Sequence, residues 1–123
     1  MQYDVTLKDL LQAGAPRLWQ RLASEQPVEF LTVEAPSVQI RKPDFVARLA
    51  SGALFHLELQ GDNDLKMEWR ELEYYLLIYK VFGQPPIQFV LYFGSAPLAM
   101  RHTIVMESLQ FRYMLATCWL HAV

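Results

Sequence analysis

The chain has 123 residues, enough for a single hydrophobic core and too few for two. With 53% hydrophobic and 13% aromatic residues, its composition excludes an intrinsically disordered chain. The formal net charge of −2 leaves no basic excess of the kind that marks a non-specific nucleic-acid binder, although basic residues can still gather on one face.

Residues 1–11 place Leu7, Leu10 and Leu11 among Asp4, Lys8 and Asp9 at helical spacing, and Gly14 interrupts the pattern. Pro16 suits the first turn of a second helix with Leu18, Trp19 and Leu22 as its apolar side, ending near Ser24. Residues 28–40 are strand-like: VEFLTVEA alternates loosely, and Pro36 breaks it before SVQIR. Lys42 to Gly61, KPDFVARLASGALFHLELQG, reads as a hairpin. GDNDL then supplies a turn with Asn63 or Asp64 as helix N-cap. From Leu65 to about Phe82, the residues Leu65, Trp69, Leu72, Leu76 and Tyr79 recur at spacings of three and four, predicting the buried side of a helix packed on a sheet. Gly83 and Pro85-Pro86 end it. Ile87 to Gly94, IQFVLYFG, is a continuous β-branched and aromatic run suited to a strand buried on both faces. A last apolar element, from about Thr103 to His121, is expected to be helical. The order describes an α/β domain over residues 1–123: a mixed sheet flanked by helices in three layers.

No apolar run approaches the ~20 residues of a membrane span, and MQYDVTLKDL lacks a signal peptide's features. Cys118 is a single cysteine, so the expected setting is the reducing cytoplasm, with no membrane association.

The hairpin raises a chemical question. Period-two alternation in FHLELQ sends Phe55, Leu57 and Leu59 to one face and His56, Glu58 and Gln60 to the other. In PDFVARL, Phe45, Ala47 and Leu49 share a face, with Asp44, Val46 and Arg48 opposite. A two-residue Ser51-Gly52 loop would separate Asp44 from Glu58. A three-residue loop Ser51–Ala53 or a five-residue loop Leu49–Ala53 unites them, and only that parity gathers the apolar residues on one face. An odd-length loop is therefore expected. Two carboxylates so placed repel each other unless a positive group lies between them. A hard cation such as Mg²⁺ or Mn²⁺ is one solution; pairing with Arg48, Lys42 or Lys66 at a solvated edge is the other.

"PD", fourteen residues, then "ELQ" resembles the signature of the PD-(D/E)XK nuclease superfamily with glutamine in the lysine position. YDVTLKDLL, RKPDFVARL, HLELQ, the helix MEWRELEYYLLIYKVFGQP and the strand IQFVLYFG together resemble the Rpn family of recombination-promoting, transposase-associated nucleases. The resemblance implies a restriction-endonuclease-like fold and Mg²⁺-dependent (or Mn²⁺-dependent) hydrolysis of DNA phosphodiesters. It implies Asp44, Glu58 and the backbone carbonyl of Leu59 as metal ligands, with Gln60 in the signature lysine's place. Arg70 and Tyr74 match the family helix, one face of which could reach a phosphate. Because an amide supplies no positive charge, Lys66 or Arg70 is expected to counter the developing charge, with Lys42 a further cation beside Asp44. Asp4 and Lys8 match the opening pattern and are read as bracing the first helix.

Other residues carry plainer expectations. His56 is read as a surface or hydrogen-bonded strand histidine, and Cys118 as packing. Glu25 leads Glu29 and Glu34 as a further acidic ligand. Family members continue beyond the point where this chain stops, so a C-terminally shortened domain whose apolar last element is covered in a homodimer is expected. A catalytically inactive interaction or dimerisation module on the same fold is the alternative to the nuclease.

Overall fold

The computed structural model describes residues 2–35, 37 and 41–118. Helices α1 (Gln2–Gln12) and α2 (Pro16–Ala23) lead into strand β1 (Pro27–Leu31). The hairpin strands β2 (Phe45–Leu49) and β3 (Leu54–Gln60) follow, then helix α3 (Met67–Phe82) and strand β4 (Pro86–Tyr92). Three short strands, β5 (Thr103–Val105), β6 (Gln110–Arg112) and β7 (Met114–Thr117), complete the described elements. The main sheet runs β1-β2-β3-β4-β7, while β5 and β6 pair separately. Pairing is antiparallel from β1 to β3 and parallel from β3 through β4 to β7, so the domain is a mixed α/β fold.

The hairpin has the expected parity. Phe45 pairs with Leu57 and Arg48 with Leu54, and Leu49 N–H donates to the carbonyl of Ala53 at 2.9 Å. That register matches the five-residue alternative, Leu49–Ala53, between the ladder's last paired residues. Gly52 takes a φ of +93°, open to a residue without Cβ, where the chain reverses. One face of the sheet, carrying Phe45, Leu49, Phe55, Leu57, Leu59 and Leu91, packs under Leu7, Leu11 and Trp19 of the first two helices. Trp19 Nε1–H donates to the Leu11 carbonyl, which locks α2 against the end of α1.

The other face packs under α3, and here the expected helix face is reversed. Leu65, Trp69, Leu76 and Tyr79 are 77%, 44%, 54% and 50% exposed. The buried side is Met67, Glu68, Glu71, Tyr74 and Ile78 instead. Leu65, Trp69, Leu72 and Leu76 step by four, three and four, and so do Met67, Glu71, Tyr74 and Ile78. They differ by an offset of two residues, roughly 200° around a helix, so they lie on opposite sides. The sheet decides between them. The face below α3 offers His56, Glu58 and Gln88 as well as Val46 and Leu54, and Glu71 and Tyr74 complement that mixture where a purely apolar stripe would strand it.

Three further expectations change. The strand expected over 28–40 ends at Leu31, and its second half lies largely outside the described residues. The N-cap of α3 is Lys66, with the Asp64 side chain two residues earlier accepting its backbone N–H at 2.9 Å. The last element is no helix up to Cys118: it forms β5, β6 and β7, and residues 119–121 lie outside the described residues. Its Thr, Ile, Val, Phe and Tyr content favours strands, and parallel pairing of β7 to the open edge of β4 satisfies backbone groups that a helix would leave there. The run Ile87–Gly94 does form an interior strand, reached from β3 through the α3 crossover. No helix among the described residues is long and apolar enough to cross a membrane.

Candidate functional site

The hairpin register sets Asp44 directly across from Glu58, just before β2 begins. Their side chains are tied reciprocally to the opposing backbone: Asp44 N–H donates to Glu58 Oε2 at 2.7 Å, and Leu59 N–H donates to Asp44 Oδ2 at 2.9 Å. Each carboxylate keeps its second oxygen toward a cation. Lys8 Nζ lies 3.0 Å from Asp44 Oδ1, and an Arg70 amine lies 3.8 Å from Glu58 Oε1. The two groups of like charge are thus held together by two cations that neither strand provides. Lys8, read from sequence as a brace for α1, joins the site from that helix.

Arg70 is the hub of the outer part. Its Nη2 donates to Gln60 Oε1 at 2.8 Å and its Nη1 to Asp64 Oδ2 at 2.9 Å. Gln60 in turn donates to Asp62 Oδ1 at 3.0 Å. The local chain geometry explains this convergence, since the turn 61–66 brings the first turn of α3 back over the end of β3. Arg70 therefore joins the acidic pair and the glutamine, and pairs with neither Glu68 nor Glu73.

Beneath this lies a fully buried polar set. His56 Nε2 is 2.8 Å from Glu58 Oε2. Gln88 Nε2 donates to the Glu71 carbonyl at 2.8 Å, which fixes its amine as the nitrogen also facing His56 Nδ1 at 3.1 Å. With the Gln88 amine facing Nδ1, Nε2–H is the donor to Glu58, and His56 orients that carboxylate. Glu71 Oε2 stands 3.5 Å from His56 Nδ1, and neither Glu71 oxygen has a hydrogen-bond partner among the described residues. Burial, reinforced by the charge of Glu58, pushes the Glu71 carboxyl up to about 8 against the pull of His56 and Arg70. For His56, burial acts downward, but Glu71 and then Glu58 outweigh it and the net direction is up. The pair therefore retains a proton at neutral pH. His56, Glu58 and Glu71 lie close enough together to hold a metal ion.

The remaining candidates fall in different places. Tyr74 is buried with its ring edge-on to His56 at 5.1 Å, its hydroxyl without a partner among the described residues and raised to about 12 by burial and by Glu58. Lys42 is exposed and lines a cavity of about 120 Å³ with Gln12 and Asp44, the open side of the acidic pair. Lys66 is exposed at the start of α3, beside Leu65, Trp69 and Arg101 in a separate cavity. Glu25 binds the hairpin turn through Ser51, 2.7 Å to both N–H and hydroxyl, and so has a structural task away from the site. His56 is a hydrogen-bonded core residue, with no surface role. Asp4's side chain lies outside the described ones.

Sequence reasoning missed Glu71 and Gln88. Glu71 was detectable: it completes the 67, 71, 74, 78 series, a spacing as regular as the apolar one. Gln88 had no such signal, because its partner His56 is 32 residues away and is met only through the parallel register of β3 and β4. In comparisons with known proteins, no family model matches the chain, and no curated protein or solved structure does.

Proposed function

We propose that this chain is a metal-dependent DNA endonuclease of the PD-(D/E)XK type, related to the transposase-associated Rpn nucleases, acting in the cytoplasm. The observation that carries the reading is the cross-strand clasp of Asp44 and Glu58. It faces two carboxylates toward one spot, with Gln60 one residue-pair further along the same strand face. Helices against both sheet faces support a three-layer, restriction-endonuclease-like arrangement.

The donor set fits a hard cation such as Mg²⁺ or Mn²⁺. Glu58 Oε2 is already engaged by two donors, which leaves Oε1 as its ligand atom; Asp44 offers Oδ1. In extended backbone a residue's N–H and C=O leave by the same edge. The carbonyl of Leu59 thus shares the Asp44 side, where the next residue along, Pro43, has no N–H to offer it. Bound there, a divalent cation supplies a more acidic water and charge stabilisation at phosphorus.

The chain's own residues supply the rest. His56 and the Asp44 amide hold Glu58 in one rotamer, so Oε1 meets its target without reorganisation. Arg70 fixes the amide of Gln60, and together with Lys8 brings to the site the positive charge that glutamine lacks. Arg70 is the better placed of the two cations named from sequence. Lys42 stands at the open side as a contact for the DNA backbone.

Plasmid cleavage by the purified protein with Mg²⁺ or Mn²⁺, run beside identically prepared Glu58→Ala protein, tests this reading. Cutting by the wild type alone supports it; equal behaviour of the two preparations removes it. One observation favours the second reading, a catalytically inactive interaction module. Lys8 and Arg70 already neutralise Asp44 and Glu58, as a purely structural site requires.

A further inference from the structure

The outer face of α3 carries an apolar row that the described residues leave largely exposed. Leu65, in the turn that opens the helix, and Trp69, Leu72, Leu76 and Tyr79 are spaced four, three, four and three, the heptad seam of one helix made to pack on another. All but the half-buried Leu72 are exposed. A row of this size on the surface of a small domain marks an interaction face.

We infer that this seam is a homodimer interface, in which α3 packs antiparallel on α3 of a second copy with Leu65 opposite Leu76 and Trp69 opposite Leu72. Charge selects the occupant and the register. Lys66, Glu73 and Lys80 are exposed and each follows a seam residue at seven-residue intervals, alternating in sign. In an antiparallel pair these flanking positions face one another. Full overlap, with Leu72 opposite Leu76, would set Glu73 against its own copy and Lys66 against Lys80. Sliding by one heptad sets Lys66 against Glu73 twice, once on each side of the two-fold axis. The slid antiparallel register thus makes this face complementary to itself.

Cavities border the row, one of about 430 Å³ beside Leu65 and Trp69 and one of about 370 Å³ beside Leu72 and Leu76. The interface involves none of Asp44, Glu58 and Gln60, and it stands whether or not the chain cuts DNA. It also differs from the C-terminal contact expected from sequence.

Sedimentation velocity from about 1 to about 100 µM, the range of a modest homodimer, tests the proposal. The expected result is a concentration-dependent dimer whose Kd weakens at least ~30-fold in Leu76→Glu, the effect of losing an interface hot spot. Leu76 is exposed, so the variant's circular dichroism melt is expected to match the wild type. Glu73→Lys alone weakens the dimer, and Lys66→Glu with Glu73→Lys restores it. In a Cys118→Ser background, Leu65→Cys with Leu76→Cys gives a disulfide-linked dimer on oxidation. A monomer throughout the range, or a dimer indifferent to Leu76→Glu, overturns the interface. Cross-linking through Leu72→Cys with Leu76→Cys in its place overturns the register.

Discussion

The amide of Asp44 donates to the carboxylate of Glu58, and one residue further along β3 the amide of Leu59 donates to the carboxylate of Asp44. This exchange makes the two residues unequal in stability. Glu58 is buried and also receives His56, so Glu58→Ala leaves the buried His56 and part-buried Asp44 N–H donors unmet and costs about 3 kcal/mol. Asp44→Asn keeps an oxygen for Leu59 and loses only the partly exposed Lys8 pair, within about 1 kcal/mol. Urea denaturation of both variants measures the difference. Both are expected to abolish metal-dependent cleavage, so Asp44→Asn is the cleaner test of chemistry.

Glu71 gives the fold a pH signature. Its carboxyl titrates near 8 in the folded chain against 4.5 unfolded, so the folded state holds the proton more tightly. Its contribution to stability is complete below pH 4.5, declines as pH rises toward 8, and is constant above. His56, also raised, acts in the same direction from 6.5 upward. Glu71→Gln, neutral at every pH, is expected to gain Tm relative to wild type between pH 5 and 9, by about 5 °C or more at the alkaline end. A difference that stays flat across that range would show Glu71 ionised in the fold at all of them.

Restoring a lysine at position 60 is expected to fail alone. Gln60 is buried and its oxygen accepts Arg70 at 2.8 Å, so Gln60→Lys sets two cations together. Combined with Arg70→Gln, the same change relieves the conflict. A double-mutant cycle on stability is expected to show a favourable coupling of about 1 kcal/mol or more. Cleavage assays of the double variant then ask whether position 60 or position 70 is the better seat for the charge.

Gly94 has no room for a side chain. A Cβ there would sit 2.6 Å from the backbone oxygen of Gly61 and closer still to the Tyr92 hydroxyl. Gly61 follows directly on Gln60, so the crowding falls on the segment that carries the site into α3. Gly94→Ala is expected to cost about 2 kcal/mol in a thermal or urea melt, because backbone rather than a flexible side chain must give way.

The hairpin was legible from sequence because its physics is local: apolar residues on two adjacent strands must share a face, and parity follows. The same logic placed Asp44 beside Glu58. It failed at α3, where two rows share one period. Hydrophobicity favours the outer row, while burial goes to the row that answers His56, Glu58 and Gln88 on the sheet below. That choice depends on a neighbour 13 to 17 residues away, which periodicity within the helix cannot see. Lys8 was visible as a residue and invisible as a partner, since only the packing of α1 against β2 and β3 brings it to Asp44. The terminal strands were misread for a related reason: β7 exists because β4 leaves an edge to pair with.

The site's parts also lie close along the chain. From Asp44 to Gln88, one hairpin and one crossover supply the carboxylates, the histidine, the arginine and both glutamines. Among the described residues, Lys8 alone is brought from elsewhere. Such short-range assembly favours early formation in folding, since little loop-closure entropy opposes it. During synthesis, the constellation can be complete before Met114–Thr117 leaves the ribosome to close the sheet's last edge. The polar centre is then part of the folding nucleus, and slow hydrogen exchange at the Asp44 and Leu59 amides is its expected mark.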